Sequence, residues 1–286
     1  MHTFAFARPA TVGEACALLE REGPGARVLA GGTDLIIGLR DDSVQPSVVI
    51  DLKRIPELRP AIREEDGRVT ISAGTTMTDL EADGGLARRF PALVEAAAAV
   101  GSIQIRNRAT LVGNICNGSP AADTAPPLLV YDACVVLSGP GGTRCLPLDD
   151  FIVCAHQTAL RRGELVTGIR LPLPLLPTGA AYLRATRRRG TDLPSVTLAC
   201  SVDAAGRTRL AFGSVGPRPY LVIDDSGVLA DRAAPVEAKA ALLDEIFAVA
   251  SPSPRSLRAS PDYRTAMLRV LGARAVRLAI DRLAAG

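Results

Sequence analysis

The chain has no tryptophan, only 3% aromatic residues and two histidines in 286 residues. Base-stacking platforms need aromatics, so single-stranded nucleic acid is an improbable partner class. Charge of one sign is not in excess either: 33 basic against 30 acidic residues leave a formal charge of +3, too balanced for an electrostatic footprint on nucleic acid. No stretch approaches the roughly 20 apolar residues that span a bilayer, and the start MHTFAFARPA lacks the apolar core of a signal peptide. The expectation from these absences is a globular protein of the cytoplasm with no transmembrane segment. The six cysteines, Cys16, Cys116, Cys134, Cys145, Cys154 and Cys200, contain no CxxC pair. That argues against zinc or iron–sulfur ligation within this chain and predicts buried or free thiols.

What is present is core-forming material, at 48% hydrophobic, enough for two domains or one domain with a smaller appendage. Thr11 and Glu14 in TVGEACALLE have capping-box spacing, with Ala15, Leu18 and Leu19 as the apolar face of the helix that follows. RVLA reads as a buried strand leading into Gly31 and Gly32, and VVIDL at 48–52 as another. VTISAG from Val69 alternates as a half-buried strand, Thr78 and Glu81 repeat the capping spacing, and PALVEAAAAVG predicts a helix stopped by Gly101. TLVGNI reads as extended chain, and ACVVLSG, GGTRCLPL and ELVTGIRLPLP as short strands between glycine and proline punctuation. LPLPLLPTG, Leu171 to Gly179, carries three prolines and marks the boundary. Beyond it, AAYLRATR, SVTLACSVD, TRLAFGSVG and PYLVID predict a meander of strands, followed by helices near 235–249 and 262–284. The class is α+β: a nucleotide domain in two lobes, then a smaller sheet-plus-helix domain.

Two stretches carry chemistry. In VLAGGTDLIIGLR, Val28 to Arg40, an apolar strand breaks on a glycine pair and resumes as a helix, an order that lets backbone approach a phosphate. It lacks GxGxxG spacing, and alone it describes an ordinary turn. The second is IQIRNRATLVGNICNGSPAADTAPPLLVYDA, where Gly113 and Asn114 offer another close approach and Asp123 can accept bonds from sugar hydroxyls. Taken singly, Asn114 can serve a left-handed turn and Asp123 can cap the helix suggested by TAPPLLVYDA. Together the loops suit opposite sides of one extended ligand.

LAGGTDL and IRNRATLVGNICNGSPAADTAPPLLVYDA resemble the flavin motifs of the flavin-binding subunits of molybdenum hydroxylases, the group that includes carbon monoxide dehydrogenase and xanthine dehydrogenase. GELVTGIRLP, YLRATRRRGTDLPSV and GSVGPRP extend the resemblance over nearly the whole chain. It implies a two-lobed FAD-binding domain of the vanillyl-alcohol-oxidase (PCMH) type over 1–174, with lobes of about 1–55 and 56–174, and a C-terminal domain of the carbon monoxide dehydrogenase flavoprotein type over 175–286. The FAD diphosphate would lie on the backbone of Leu29, Ala30, Gly31, Gly32, Thr33, Asp34 and Leu35, where glycine lets N–H groups reach an anion. Val100, Gly101, Thr110, Leu111, Val112, Gly113 and Asn114 would line the flavin and its ribityl chain. Asp123 would bond a cofactor hydroxyl and Val166 would pack against the cofactor. Arg184 stands where the family commonly has lysine, and Cys154 where it commonly has glycine.

The implied activity is that of an oxidoreductase whose redox centre is the flavin, with no catalytic side chain and no metal in this chain. Electrons would come from an iron–sulfur subunit, itself served by a molybdopterin-binding large subunit, and pass to NAD, a quinone or oxygen. The implied assembly is a dimer of heterotrimers. A self-contained FAD oxidase of the same fold is the alternative, weakened by the lack of a histidine in either loop for a covalent link, and a nucleotide-binding scaffold without turnover is another. Arg187, Arg188 and Arg189 form a run that the resemblance places beside the exposed flavin edge, with a plain solvated face as the competing reading. His156 reads as a surface-loop residue.

Overall fold

Local capping chemistry sets where the helices begin. The Thr11 hydroxyl accepts the Glu14 N–H at 3.2 Å and opens the first helix, while the Glu14 carboxylate takes the Ala10 N–H at 2.7 Å. Half of the expected reciprocal box is therefore shifted back by one residue. The computed structural model describes residues 2–188 and 190–285. Arg189 of the arginine run lies outside the described residues.

The chain runs through β1 (Ala5–Ala7), α1 (Val12–Glu22), β2 (Ala26–Leu29), α2 (Leu35–Arg40), β3 (Val48–Asp51), β4 (Ile62–Glu65) and β5 (Arg68–Ser72). Six short helices follow: α3 (Met77–Ala82), α4 (Gly84–Arg89), α5 (Pro91–Ala99), α6 (Ile103–Arg106), α7 (Leu111–Cys116) and α8 (Ala125–Val130). Next come β6 (Cys134–Gly139), β7 (Gly142–Pro147), α9 (Leu148–Phe151), β8 (Ile152–Cys154), β9 (Gln157–Thr158) and β10 (Leu165–Pro172). The last part holds β11 (Thr178–Ala185), β12 (Val196–Asp203), β13 (Thr208–Gly213), β14 (Tyr220–Asp224), α10 (Val236–Phe247) and α11 (Pro261–Ala285).

Strands β1, β3 and β2 form a small parallel sheet with β3 in the middle. An antiparallel sheet orders β4, β5, β10, β6 and β7, so β10 returns from late in the sequence to sit between β5 and β6. The meander β11 to β14 makes a third, antiparallel sheet, in sequence order as expected. One core joins the first two sheets and the short helices around Ile50, Ile71, Phe90, Leu111 and Phe151. A second fills the space between the meander and α10 and α11, around Leu198, Phe212, Phe247 and Leu268. Gly179 lets α11 lie directly on β11, because a Cβ there would overlap the Ala279 carbonyl oxygen. Tyr182 and Ala199 belong to the first core although they sit on the meander, so the two parts pack as neighbours.

Three expectations are corrected. TLVGNI is not extended: the Thr110 hydroxyl accepts the Gly113 N–H at 3.0 Å and starts α7, a cap that outweighs the strand-like composition of the run. The second capping box belongs to Thr76 and Asp79, whose side chains and backbones bond reciprocally, not to Thr78 and Glu81. The Thr78 hydroxyl instead donates to Asn107 at 2.7 Å. Finally, Cys134 and Cys145, on the adjacent strands β6 and β7, form a disulfide, while Cys16, Cys116, Cys154 and Cys200 remain free thiols. Cysteine spacing cannot reveal a cross-strand pair, because the turn between the strands sets the register.

Candidate functional site

The glycine loop lies between β2 and α2 and folds against the second loop. A Cβ on Gly31 would overlap the Arg108 carbonyl oxygen and lie 2.9 Å from its carbon and 3.1 Å from Ala109 Cα. Gly31 thus makes room first for protein backbone. Gly32 has φ +80°, a conformation that L side chains rarely adopt, and a Cβ there would come within 2.7 Å of the tip of Leu29. The loops are also tied by a hydrogen bond from Asn117 Nδ2 to Asp34 Oδ2 at 3.3 Å.

Among the described residues, no acceptor in the chain takes the N–H groups of Gly31, Gly32, Thr33, Asp34 or Leu35; the first bond of the turn runs from Ile36 N–H to the Gly32 carbonyl at 3.0 Å. Five consecutive donors without a protein acceptor, most in half-buried residues, make a cradle for an anion. An FAD diphosphate fits that chemistry.

Ala30, Gly31 and Thr110 share a cavity of about 250 Å³. Of the residues expected from sequence, these three meet there. Its apolar wall comes from Leu52, Ile55, Leu58 and Ala73, all at most 5% exposed. Lys53, Arg59 and Arg108 add three cations to its lining, a feature that sequence reasoning missed although Arg108 stands two residues before Thr110. Lys53 is neutralised by Asp51 at 2.5 Å, the residue opposite Leu29 in the parallel sheet.

Further along the second loop, Leu111 and Val112 turn into the core and Asn114 Oδ1 accepts the Thr124 hydroxyl at 2.6 Å. Asn114 sits in α7 with ordinary helical backbone, so a left-handed turn is not its role. Asp123 does not cap α8: the N-cap position is Thr124, and no side chain caps the helix there. Its Oδ1 instead accepts the Tyr182 hydroxyl at 2.5 Å and Arg184 Nη1 at 3.2 Å, both from β11. Burial raises the Asp123 carboxyl above its ordinary range, while the Tyr182 bond and the Arg184 charge pull it back. Burial and the neighbouring carboxylate push the Tyr182 hydroxyl well up, so it stays a donor. Among the described residues nothing in the chain bonds Asp123 Oδ2, leaving one acceptor for a ligand hydroxyl.

Val100, Gly101 and Val166 do not line the cavity. Gly101, with φ +53°, turns the chain out of α5 beside Ile105, the Val100 carbonyl accepts Arg106 Nη1 at 3.3 Å, and Val166 is buried in the core at a register shift between β10 and β6. Arg187 and Arg188 hold Asp192, at 3.5 and 3.8 Å, and their N–H groups also bond its carboxylate. Burial raises that carboxyl, but the two charges and the backbone bonds hold it below the usual range. His156 lies exposed on a loop with φ +59°. No three His, Cys, Asp or Glu residues among those described are placed to hold a metal, and no described helix is long and apolar enough to cross a membrane.

A family model described as the FAD binding domain in molybdopterin dehydrogenase matches residues 2–174, and one described as the CO dehydrogenase flavoprotein C-terminal domain matches residues 181–279. The chain is 36% identical over 284 residues to the carbon monoxide dehydrogenase medium chain of Hydrogenophaga pseudoflava, covering 98% of both chains. It is 32% identical over 269 residues to the xanthine dehydrogenase FAD-binding subunit of Escherichia coli O157:H7, covering 92% of this chain and 91% of the relative. The solved structure of the Hydrogenophaga pseudoflava carbon monoxide dehydrogenase that lacks the Mo-pyranopterin moiety matches with a TM-score of 0.89 at 35% identity, over 98% of each chain. Quinoline 2-oxidoreductase from Pseudomonas putida 86 matches at 0.84 and 26% identity, over 98% of this chain and 97% of its own.

Proposed function

We propose, from the premise that this chain belongs to the family of FAD-binding subunits of molybdenum hydroxylases, that it is the electron outlet of a larger oxidoreductase. The chain is a flavoprotein with FAD as its cofactor. When bound, FAD supplies a centre that holds two electrons and exchanges them singly or in pairs. In our reading electrons reach it from the clusters of an iron–sulfur partner subunit and leave to an external acceptor, NAD, a quinone or oxygen. A molybdopterin-binding large subunit would carry out the substrate chemistry, in a dimer of heterotrimers.

The observation that carries the reading is the run of unpaired N–H groups from Gly31 to Leu35. Backbone donors fixed by the turn need no reorganisation to meet a diphosphate, so they bind by position. Asp123, held by Tyr182 and Arg184, would offer Oδ2 to a hydroxyl of the cofactor. Arg184 brings positive charge to that point in place of the lysine common in the family, and being paired with Asp123 it positions the carboxylate instead of acting as a free cation. We assign residues 1–174 to cofactor binding and 175–286 to the domain whose β11 closes over Asp123.

The protein supplies binding and orientation, and the chemistry is the cofactor's. The isolated chain loaded with FAD should therefore pass electrons from an artificial reductant to an acceptor, yet leave hydroxylase substrates untouched. Substrate oxidation by the metal-free chain would overturn the proposal.

A further inference from the structure

The C-terminal domain holds a second cavity, of about 580 Å³, which shares no lining residue with the one beside Gly31. That volume falls within the roughly 300–1,000 Å³ of sites that enclose a small organic ligand. Its walls are two helices. Val236, Lys239, Ala240 and Leu243 recur at steps that place them on one face of α10, and Ala273, Val276, Arg277 and Ile280 do the same on α11. The helices touch where Phe247 packs on Gly272, since a Cβ at Gly272 would come within 2.7 Å of the Phe247 ring. From that contact the cavity runs toward Val236, at the start of α10, and Asp281, in the last turns of α11.

Leu229, Leu243, Val276 and Ile280, all at most 8% exposed, give the cavity an apolar floor. Ala240 and Ala273 also line it but are exposed, and their small side chains leave space that a leucine at either position would fill. Two ion pairs bridge the walls, Arg269 to Asp244 at 2.5 Å and Arg232 to Asp281 at 2.9 Å. At the rise of an α-helix, Arg269 and Asp281 stand about 18 Å apart along α11. Between the pairs lie Lys239 and Arg277, one on each helix, and among the described residues neither has a carboxylate or hydrogen-bond partner. The lining therefore carries two more cations than carboxylates.

An apolar floor beneath two unpaired cations is complementary to a ligand with an aliphatic body and one anionic head. A nucleotide base would leave its polar ring atoms unpaired over leucine, valine and isoleucine, and an inorganic anion would leave the floor in water. We propose that the cavity between α10 and α11 binds a small amphipathic anion, an aliphatic carboxylate, with its head between Lys239 and Arg277 and its chain along Leu243, Val276 and Ile280.

The test is a calorimetric titration of the full chain with octanoate, hexanoate, acetate and 1-octanol, for the wild type, Lys239→Gln/Arg277→Gln and Ala273→Phe. The wild type should bind octanoate at a single site, hexanoate, shorter by two methylenes, about fifteenfold more weakly, and acetate not measurably. Octanol, which keeps the chain and loses the charge, should bind about tenfold more weakly than octanoate; the double variant should lose about tenfold for octanoate and nothing for octanol. Its thermal midpoint without ligand should match the wild type, since neither cation bonds the chain. Ala273→Phe, at an exposed position, should keep the fold and lose both ligands. Absence of saturable octanoate binding would overturn the proposal, as would equal affinity for octanoate and octanol, or unchanged octanoate affinity in either variant. Octanoate binding by the free chain but not by the complex purified from its host would give the cavity to a partner segment and overturn it too. Each of these results leaves the flavin reading untouched, because the two cavities share no residue.

Discussion

Replacing Gly31 by Ala separates two reasons for a glycine in the flavin loop. If the residue were needed only for an anion to approach, the ligand-free protein would tolerate the methyl group. The structure places that methyl on the Arg108 carbonyl, 2.9 Å from its carbon and 3.1 Å from Ala109 Cα. Those atoms cannot easily give way. Arg108 N–H and Ala109 N–H are bonded to the Ile105 carbonyl at 2.9 and 2.7 Å, and the Ala109 carbonyl accepts the Met77 N–H at 2.9 Å. Overpacking of this kind costs about 1–3 kcal/mol, and the lost flexibility of the unfolded glycine returns about 0.4–1 kcal/mol. The net is roughly 1–2 kcal/mol, or about 2–8 °C in thermal midpoint for a chain of this size. The assay is a melt of flavin-free protein, with Gly141→Ala as control, because a Cβ at Gly141 meets nothing within 4 Å. Because the strain separates the loops that form the cradle, FAD affinity should fall as well. Identical melts for Gly31→Ala, the control and the wild type would refute the packing argument.

Tyr182→Phe removes a charge-assisted bond from buried Asp123 and should cost about 1.5–3 kcal/mol of stability in denaturant titration. The Asp123 carboxyl, already raised by burial, rises further in the variant, so the deficit should grow as pH increases through its titration; a deficit independent of pH would contradict the assignment. Glu164 behaves in the opposite sense: two bonds from Arg144, at 2.7 and 2.8 Å, hold its carboxyl below the ordinary 4.5. Its contribution is present above that value and is lost as pH falls through the lowered one, so Glu164→Gln should flatten the acid limb of stability against pH, and an unchanged limb would refute the coupling. Cys145→Ser should lower stability by about 2–4 kcal/mol under oxidising conditions, with the difference vanishing in reductant; a wild type that melts identically with and without reductant would show that the Cys134–Cys145 link contributes nothing.

The sequence carried the short-range features of this chain because they depend on neighbours. The Thr11 cap, the α5 helix stopping just before Gly101 and the order of the meander all follow from local pattern. Where the reading failed, a contact from elsewhere or a choice between adjacent caps decided. The apolar TLVGNI looks like a strand until the Thr110 hydroxyl closes on Gly113. Thr76 and Thr78 offer competing starts, and the bridge between Thr76 and Thr110 fixes the earlier one. In the site, the paired loops were legible as glycine motifs, but not that Gly31 abuts Arg108, nor that Tyr182 reaches Asp123 across 59 positions. Arg59 entered the cavity unannounced, since an arginine in a surface turn has no periodicity to mark it.

The central claim is that this flavoprotein works as one part of a molybdenum enzyme, and purification from the native host with flavin and metal analysis at each step tests it most directly. The account predicts that the chain, FAD, iron and molybdenum travel together in constant ratio, and that separated chain keeps FAD but loses both metals. A chain that purifies yellow, free of iron and molybdenum and of partner subunits at every step, and oxidises a substrate by itself would contradict it.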